Sequence, residues 1–265
     1  MKFEHIEVFN FEGAFRGLRN PKNSWHLSDS CFGLASEWVD SEWINEIAAD
    51  WAYVKFGDNV NSEEAENYTE EIKTWLSNNC YLRYDPDVGS DLALIGPKDM
   101  DLAQRLIKAG PEHRKFLRQI FVSVDITAPL FWFKEFDTYK IGITANSTST
   151  MHKLATTPIT MENFELGDYD ENIVLLEDGM SPEAIVFYCE TLRKKYLATK
   201  DKRYWKELIR WLPEGWLQTR TVTMNYENLH SMYLQRKNHK LTEWSVDFMN
   251  FIKKLPYAEE LICFY

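Results

Sequence analysis

The chain of 265 residues has few of the features that mark secreted or membrane-spanning proteins. Its four cysteines are scattered and form no Cys-x-x-Cys pair, so we expect reduced thiols rather than a disulfide framework. No apolar run approaches the length of a membrane span, and Met1 is not followed by a secretory leader. We therefore expect a cytoplasmic protein that makes no membrane contact.

The chain also lacks a surplus of positive charge. Its 30 basic and 41 acidic residues give a net charge of -11, which argues against broad nucleic-acid binding because that requires a basic face. The imbalance is local, since the segment from Ala35 to Asp101 holds 16 acidic and four basic residues. A single anionic ligand in a local pocket stays compatible with this charge.

What the chain does have is a globular composition, with 45% apolar and 15% aromatic residues. Alternating side chains predict strands at 2–9, 119–126 and 218–224. Residues 11–25 are predicted to form a polar loop in which Arg16, Arg19 and Asn20 face an anion or solvent. Residues 153–180 are predicted to form an irregular connection. Helical spacing predicts two helices within the acidic segment 35–90 and further helices at 99–109, 130–140, 181–198, 201–212, 225–236 and 241–255. These elements together predict an α+β protein.

Established catalytic and metal-binding motifs are absent. The chain has no phosphate-binding glycine loop, no nucleophile elbow, no His-Glu-x-x-His pair and no calcium-binding loop. Its six histidines are far apart, so we expect no metal site. Two polar clusters stand out instead, at 137–152 and 225–240.

The first polar cluster, DTYKIGITANSTSTMHK, is dense in hydroxyl and amide side chains. Such groups hydrogen-bond to phosphate and to pyrimidine oxygens with little net charge, and Lys140 adds a point charge. The alternative is a Ser/Thr-rich turn whose side chains bond their own backbone. The residues alone leave both interpretations open.

Several stretches, taken in order, resemble the flavin-dependent thymidylate synthases, also called the thymidylate-synthase-complementing family. His113 opens HRKFLRQ, where the family has its His-x-x-Pro-Phe-Glu-His segment, and Pro129 stands at the family's helix-opening proline. NSTSTMH is similar to the family's NExSxRY, with Asn146 and Ser149 matching. The resemblance covers about 150 residues.

The second polar cluster continues the resemblance. RWLPEGWLQTRTVTMNYENLHSMYLQR is similar to the family's Leu-Pro, Thr-rich strand and Asn-x-Arg-x-Leu segment, with Asn225, Leu229 and Arg236 at the same spacing. TEW at 242–244 stands where the family has Ala-Gln-Trp. The chain departs from the pattern at the flavin-binding Arg-His-Arg triplet, replaced by residues 138–140, and at Glu227, where the family has arginine.

The resemblance implies an α+β fold in which a sheet is flanked by helices. It implies a single domain over 1–265, with an inserted acidic helical segment at about 35–97, and a homotetramer with active sites shared between subunits. FAD, dUMP and methylene-tetrahydrofolate would be its ligands. The reduced flavin would supply hydride, and the protein would supply binding and orientation.

The resemblance also assigns roles to individual residues. Arg236 is the strongest candidate for a nucleotide contact, with a helix-end arginine as the alternative. The substrate-binding set is Arg236, Ser149, Asn146, Ser147, Asn225 and Tyr139. The cofactor-binding set is His113, Lys140 and His152. A structural histidine at position 113 and a core aromatic at position 139 are the competing interpretations.

Three hypotheses of function follow. The first is a divergent flavin-dependent enzyme acting on a pyrimidine nucleotide, by C5 methylation of dUMP or a related modification. The second is a non-catalytic nucleotide-binding protein on the same fold, which the altered Arg-His-Arg triplet favours. The third is an interaction protein whose acidic, Trp-rich segment docks a partner.

Overall fold

The computed structural model describes residues 1–33, 41–83, 88–90, 92–170 and 181–265, and it has a mixed α+β architecture. A π-helical turn over Glu243–Phe248 precedes the last helix. The strands are β1 (Lys2–Phe9), β2 (Cys31–Gly33), β3 (Val88–Ser90), β4 (Leu92–Leu94), β5 (Phe121–Pro129), β6 (Thr144–Ser147) and β7 (Leu217–Asn225). The helices are α1 (Phe11–Arg19), α2 (Ser41–Phe56), α3 (Glu63–Arg83), α4 (Pro97–Ala109), α5 (Leu130–Phe136), α6 (Thr150–Lys153), α7 (Pro182–Thr199), α8 (Lys202–Trp211), α9 (Tyr226–Arg236) and α10 (Met249–Lys254).

Five strands form the main sheet in the order β3-β1-β5-β7-β6. The strands β1 and β3 run parallel, with Ile6 opposite Val88. Along β5 every second side chain is buried and the intervening ones are half-buried, as the two-residue period of a strand requires. One face of this strand therefore belongs to the core. A separate pair, β2 and β4, is antiparallel.

The described chain divides into two compact units. The first unit consists of Met1–Glu4, Asp125–Lys140 and Thr144–Val222. The second unit consists of His5–Val124, Ile141–Ile143 and Thr223–Tyr265. The expected organisation as one domain stays a prediction.

Each unit has a hydrophobic cluster built from a helix pair. In the first unit α7 and α8 pack on each other, and Cys189, Leu192 and Leu208 are buried between them. In the second unit α2 and α3 pack as a hairpin around Trp51, Ile72 and Leu76. The two helices expected in the acidic segment are thus confirmed, while residues 34–40, 84–87 and 91 of that segment lie outside the described residues.

The prediction of a polar loop at residues 11–25 is wrong for the first nine residues, which form α1. The glycines suggested a loop, but Gly17 lies within the helix against the side-chain amide of Gln119, which would have to shift if a Cβ were added. Arg19 does not face solvent, because it is paired with the buried Asp99. The helix forms because its apolar residues lie on one face, at Phe11, Ala14, Phe15 and Leu18.

The other helix ends follow their sequence signals. Pro129 precedes α5, and Pro182 is the first residue of α7. Asn225 caps α9, where its side chain accepts a hydrogen bond from the Asn228 amide at 3.0 Å. The expected helix at 241–255 begins with the π-helical turn rather than with α-helix. In the expected connection at 153–180, residues 171–180 lie outside the described part.

Candidate functional site

The residues expected to bind ligands fall into both units. The backbone of His152 belongs to α6, but its side chain lies outside the described part of the structure. The first unit holds Tyr139, Lys140, Asn146, Ser147 and Ser149, and the second holds His113, Asn225 and Arg236.

The hydroxyl- and amide-rich segment forms strand β6 and the turn that follows it. All four residues of β6 are exposed, including Asn146 and Ser147. The next residue, Thr148, is held against β7 by three hydrogen bonds. Its amide donates to the Thr219 carbonyl at 2.9 Å, its carbonyl accepts from Gln218 Nε2 at 2.9 Å, and its hydroxyl accepts from the Thr219 amide at 3.3 Å. Ser149 is therefore attached to a fixed point of the sheet.

A network on β7 supports Thr148. Gln218 is buried and accepts a hydrogen bond from Arg220 Nε at 2.9 Å. Arg220 Nη1 donates to Asp137 at 2.7 Å, and its guanidinium carbon lies 3.9 Å from the centre of the Phe133 ring. Neither Gln218 nor Arg220 was expected from the sequence to lie near a ligand. The signal was available, because both share a face of β7 with the buried Val222, and a charged group there needs a partner.

A second row of polar groups lies on the half-buried face of β5 and β7. The hydroxyls of Thr127 and Thr219 are 2.7 Å apart, and the Thr221 hydroxyl donates to Asp125 at 2.5 Å. Together with β6 these groups give the first unit a surface of hydroxyls, amides and one carboxylate. Such a surface has the donors and acceptors to bind a neutral or singly charged polar ligand.

The segment before β6 contains the two remaining candidates of the first unit. Tyr139 is half-buried, and its amide donates to the Phe136 carbonyl at 3.0 Å. Lys140 is exposed. The neighbouring Thr138 bonds the Glu135 carbonyl at 2.7 Å, which is the local side-chain bonding that the alternative interpretation of this segment expects.

Asn225 has a structural role in the second unit. Besides capping α9, its side-chain amide lies close to Gly142, where an added Cβ would be 2.9 Å from Asn225 Nδ2. Asn228 Nδ2 donates to the carbonyl of Ile141 at 2.7 Å, so Asn228 holds the Ile141–Ile143 segment and Asn225 lies against it. The role of Asn225 as a substrate contact stays a prediction.

His113 is exposed and lies beside a well-buried ion pair. Its neighbour Arg114 donates from Nε and Nη2 to both carboxylate oxygens of Glu227, at 2.8 and 3.0 Å. The buried His230 contacts the Ile262 carbonyl through Nδ1 at 2.8 Å. Burial lowers the pKa of His230, with a smaller contribution from the nearby Arg114 charge, so we expect a neutral ring at pH 7.

Arg236 is the last residue of α9 and is half-buried. Its guanidinium carbon lies 5.1 Å from the centre of the Trp244 ring, a cation–π arrangement. The His239 ring packs edge-on against the same indole, with the two ring centres 6.4 Å apart. Trp244 lies within the π-helical turn, a distortion that occurs frequently at functional sites. Arg236, His239 and Trp244 thus form a second polar and aromatic cluster.

Neither a metal-binding cluster nor a membrane-spanning helix occurs among the described residues. No group of three or more histidine, cysteine, aspartate or glutamate side chains is arranged to hold a metal ion within the described ranges. No helix of the described chain combines the length and the apolar character that crossing a bilayer requires.

Comparison with known proteins gives a distant structural likeness. No family model and no curated protein matches the chain. A crystal structure of the flavin-dependent thymidylate synthase ThyX from Helicobacter pylori, complexed with FAD and dUMP, is 17% identical with a TM-score of 0.49, covering 71% of this chain and 91% of that one. A second ThyX structure from the same organism, also with FAD and dUMP, has the same identity and TM-score and covers 73% and 89%. A likeness of this size establishes no activity for this chain.

Proposed function

We propose that this protein binds a pyrimidine nucleotide, with dUMP as the model ligand, through the surface formed by Asn146, Ser147 and Ser149. The observation that carries this proposal is the attachment of Thr148 to β7 by three hydrogen bonds. A fixed backbone presents the neighbouring side chains in a defined geometry, and this lowers the entropy that ligand binding costs.

The chemistry of the surface supports a nucleotide rather than a polyanion. Hydroxyl and amide groups on β6 pair with phosphate and pyrimidine oxygens one at a time. The overall charge of -11 opposes the many phosphate contacts of a nucleic acid, but it does not oppose a single monophosphate. The order of the sequence matches that include Asn146, Ser149 and Arg236 supports the same ligand class.

Calorimetric titration of the full chain with dUMP, dTMP, UMP and AMP tests this proposal. We expect the pyrimidine monophosphates to bind and AMP to bind more weakly. Ser149→Ala and Asn146→Ala each remove a side-chain contact and should weaken binding by about fivefold to tenfold. The matched control is Thr199→Ala, which removes a hydroxyl that bonds only the Lys195 carbonyl and the Asp201 amide among the described contacts. Absence of binding to all four nucleotides would reject the proposal.

The second candidate function is flavin-dependent modification of the nucleotide, with methylene-tetrahydrofolate as one-carbon donor. His113 and Lys140 favour it, because both side chains are exposed and carry groups that contact phosphates. The described residues do not match the donors that the family pattern has for FAD, since Thr138 bonds the Glu135 carbonyl of α5 and a tyrosine stands at position 139 where the pattern has histidine. Positions 138–140 therefore do not fit FAD.

An absorbance spectrum separates the two candidates. Purified protein, alone and after incubation with FAD and gel filtration, should show a flavin band only if the second candidate is correct. Nucleotide binding by a colourless protein would support the first candidate, nucleotide binding, and reject the flavin-dependent reaction. We also propose that the protein is a homotetramer with shared sites, which its mass in solution checks. A cytoplasmic location belongs to the same proposal.

A further inference from the structure

Helix α7 presents an outward face that combines apolar and basic side chains. Phe187 is 74% exposed and Tyr188 is 44% exposed, although both belong to a regular helix whose opposite side is buried against α8. Lys194 and Lys195 follow on the same face two turns later and are also exposed. An exposed apolar group bordered by charge is a common feature of a protein-binding surface.

The ion pairs within the helix leave this basic face available. Glu190 is held by Arg193 at 2.6 Å and by the Ile159 amide at 2.9 Å, so its carboxylate is already engaged. Lys194 is 3.6 Å from Glu190 and remains 71% exposed. The surrounding helix pair α7–α8 holds seven basic and three acidic residues. Its electrostatic complement is therefore an acidic surface.

Helix α2 presents an acidic face of matching pattern. Its inner side packs on α3 through Ala48 and Trp51. Its outer side carries Glu42, Glu46 and Asp50, followed by Tyr53, which is 61% exposed. The helix pair α2–α3 holds eight acidic and three basic residues.

The spacing on the two faces agrees. Tyr53 lies seven residues after Glu46, while Phe187 and Tyr188 lie seven residues before Lys194 and Lys195. Seven residues of helix span about 10.5 Å. If the two helices pack antiparallel, Tyr53 meets the aromatic pair and the Glu46 carboxylate meets the lysines, with the exposed Glu42 one helical turn beyond.

We propose that α2 of one copy of this chain docks antiparallel on α7 of a second copy, with the apolar groups in contact and the carboxylates paired with the lysines. The occupant of the α7 face is thus a second copy rather than an unrelated protein, because the complementary charge and the matching spacing both occur in this chain. Opposite charges that flank an apolar seam determine the partner and the orientation of helix pairs.

Charge reversal tests the proposal with the full-length protein. We expect sedimentation velocity over a range of concentrations to show self-association that weakens as salt is raised. Lys194→Glu with Lys195→Glu, and separately Glu42→Lys with Glu46→Lys, should each weaken association by at least about tenfold. A mixture of the two double variants should associate again, because each supplies the charge that the other now needs.

Controls keep the result specific. The matched control is Lys253→Glu with Lys254→Glu, which makes the same change of charge at two exposed lysines of α10 and should leave association unchanged. Circular dichroism of every variant identifies any that fails to fold, and Phe187→Ser gives a further variant that removes the apolar contact without altering charge. Wild-type protein that is monomeric at all concentrations, variants that associate like wild type, or a mixture that fails to recover would overturn the proposal. None of these outcomes depends on nucleotide binding.

Discussion

Glu227 is bound by Arg114 through two parallel hydrogen bonds, from Nε at 2.8 Å and from Nη2 at 3.0 Å. The two residues are 113 positions apart in the chain, and both side chains are largely buried. The negative charge at position 227, where the resemblance has an arginine, is therefore neutralised inside the protein. This position supplies no positive charge to an anionic ligand.

Removing this carboxylate should destabilise the fold. Glu227→Gln leaves the Arg114 guanidinium with a neutral partner, and we expect the free energy of unfolding to fall by about 1–3 kcal/mol. Glu214→Gln is the matched control, since its exposed pair with Lys134 at 2.7 Å should contribute less than about 1 kcal/mol. Urea unfolding of the three proteins measures the difference, and equal stability of both variants would show that burial of the pair does not matter.

The ion pair between Arg19 and Asp99 should contribute more to the stability of the fold than the pair between Arg114 and Glu227. Asp99 is fully buried and accepts from Arg19 Nε at 2.6 Å, from Ser28 at 2.5 Å and from Ser30 at 2.6 Å. Arg19→Met removes its counter-charge, which should cost about 3–5 kcal/mol. Arg16→Met on the same helix removes only an exposed contact with Glu12, so thermal unfolding should separate the two variants clearly. A small effect at both positions would contradict this prediction.

Acid should weaken the contact between Glu190 and Arg193. The hydrogen bond from Arg193 is the largest effect that lowers the pKa of Glu190, from 4.5 to about 2. Since the pKa is lower in the folded state, the stabilisation is complete above about pH 4.5 and is lost as the pH falls towards 2. We expect Glu190→Gln to be less stable than wild type by about 2–4 kcal/mol at pH 7.

Unfolding measured at pH 7, 4.5 and 2.5 checks this window. The difference between wild type and Glu190→Gln should shrink over the two lower values. Glu207→Gln, which loses a more exposed contact with Arg210, is the control and should show a smaller difference at pH 7. A difference for Glu190→Gln that is the same at all three pH values would exclude this carboxylate as the titrating group.

Gly142 should tolerate no side chain. Its φ is 78°, and an added Cβ would lie 2.9 Å from Asn225 Nδ2. Gly57 is the control, because its φ of 56° carries the same backbone cost while the space around its Cβ is open. We expect Gly57→Ala to cost about 1 kcal/mol and Gly142→Ala about 1–2 kcal/mol more. Equal values in urea unfolding would show that the Asn225 side chain moves aside freely.

Gln218 should position the candidate nucleotide surface. Gln218→Leu removes the hydrogen bond to the Thr148 carbonyl, so exchange of backbone amides at 148–153 should become at least about tenfold faster. Nucleotide affinity should fall in parallel, because the surface is less preorganised. Gln104→Leu makes the same chemical change at a distant contact with the Glu260 carbonyl and should leave both measurements unchanged. Unchanged exchange in Gln218→Leu would contradict the positioning role.

The sequence allowed the elements with strong local signals to be predicted. Pro129, Pro182 and Asn225 each act within a few residues, through fixed φ or through a capping hydrogen bond, and all three stand where the structure begins a helix. The failure at Phe11–Arg19 has the same origin, because two glycines gave a loop signal that the buried apolar face outweighs.

The surroundings of the candidate residues were not predictable in this way. Arg220 and Asp137 are 83 positions apart, and Gln218 reaches Thr148 across 70. Nothing local in the sequence indicates such pairs, because they form only when β6 and β7 become neighbours in the sheet. Arg236 could be named from spacing, but its position over Trp244 could not.

By itself, the sequence determined the α+β composition, the acidic helix pair and the concentration of hydroxyl and amide groups near β6, because these depend on residue type and on local periodicity. Only the tertiary structure decided which of the charged groups are used internally. Arg19, Arg114 and Arg220 are all cations that a sequence leaves open to a ligand, and each is bound by a carboxylate that the fold brings to it. Burial makes an unpaired charge costly, so partners for these arginines are selected by long-range packing.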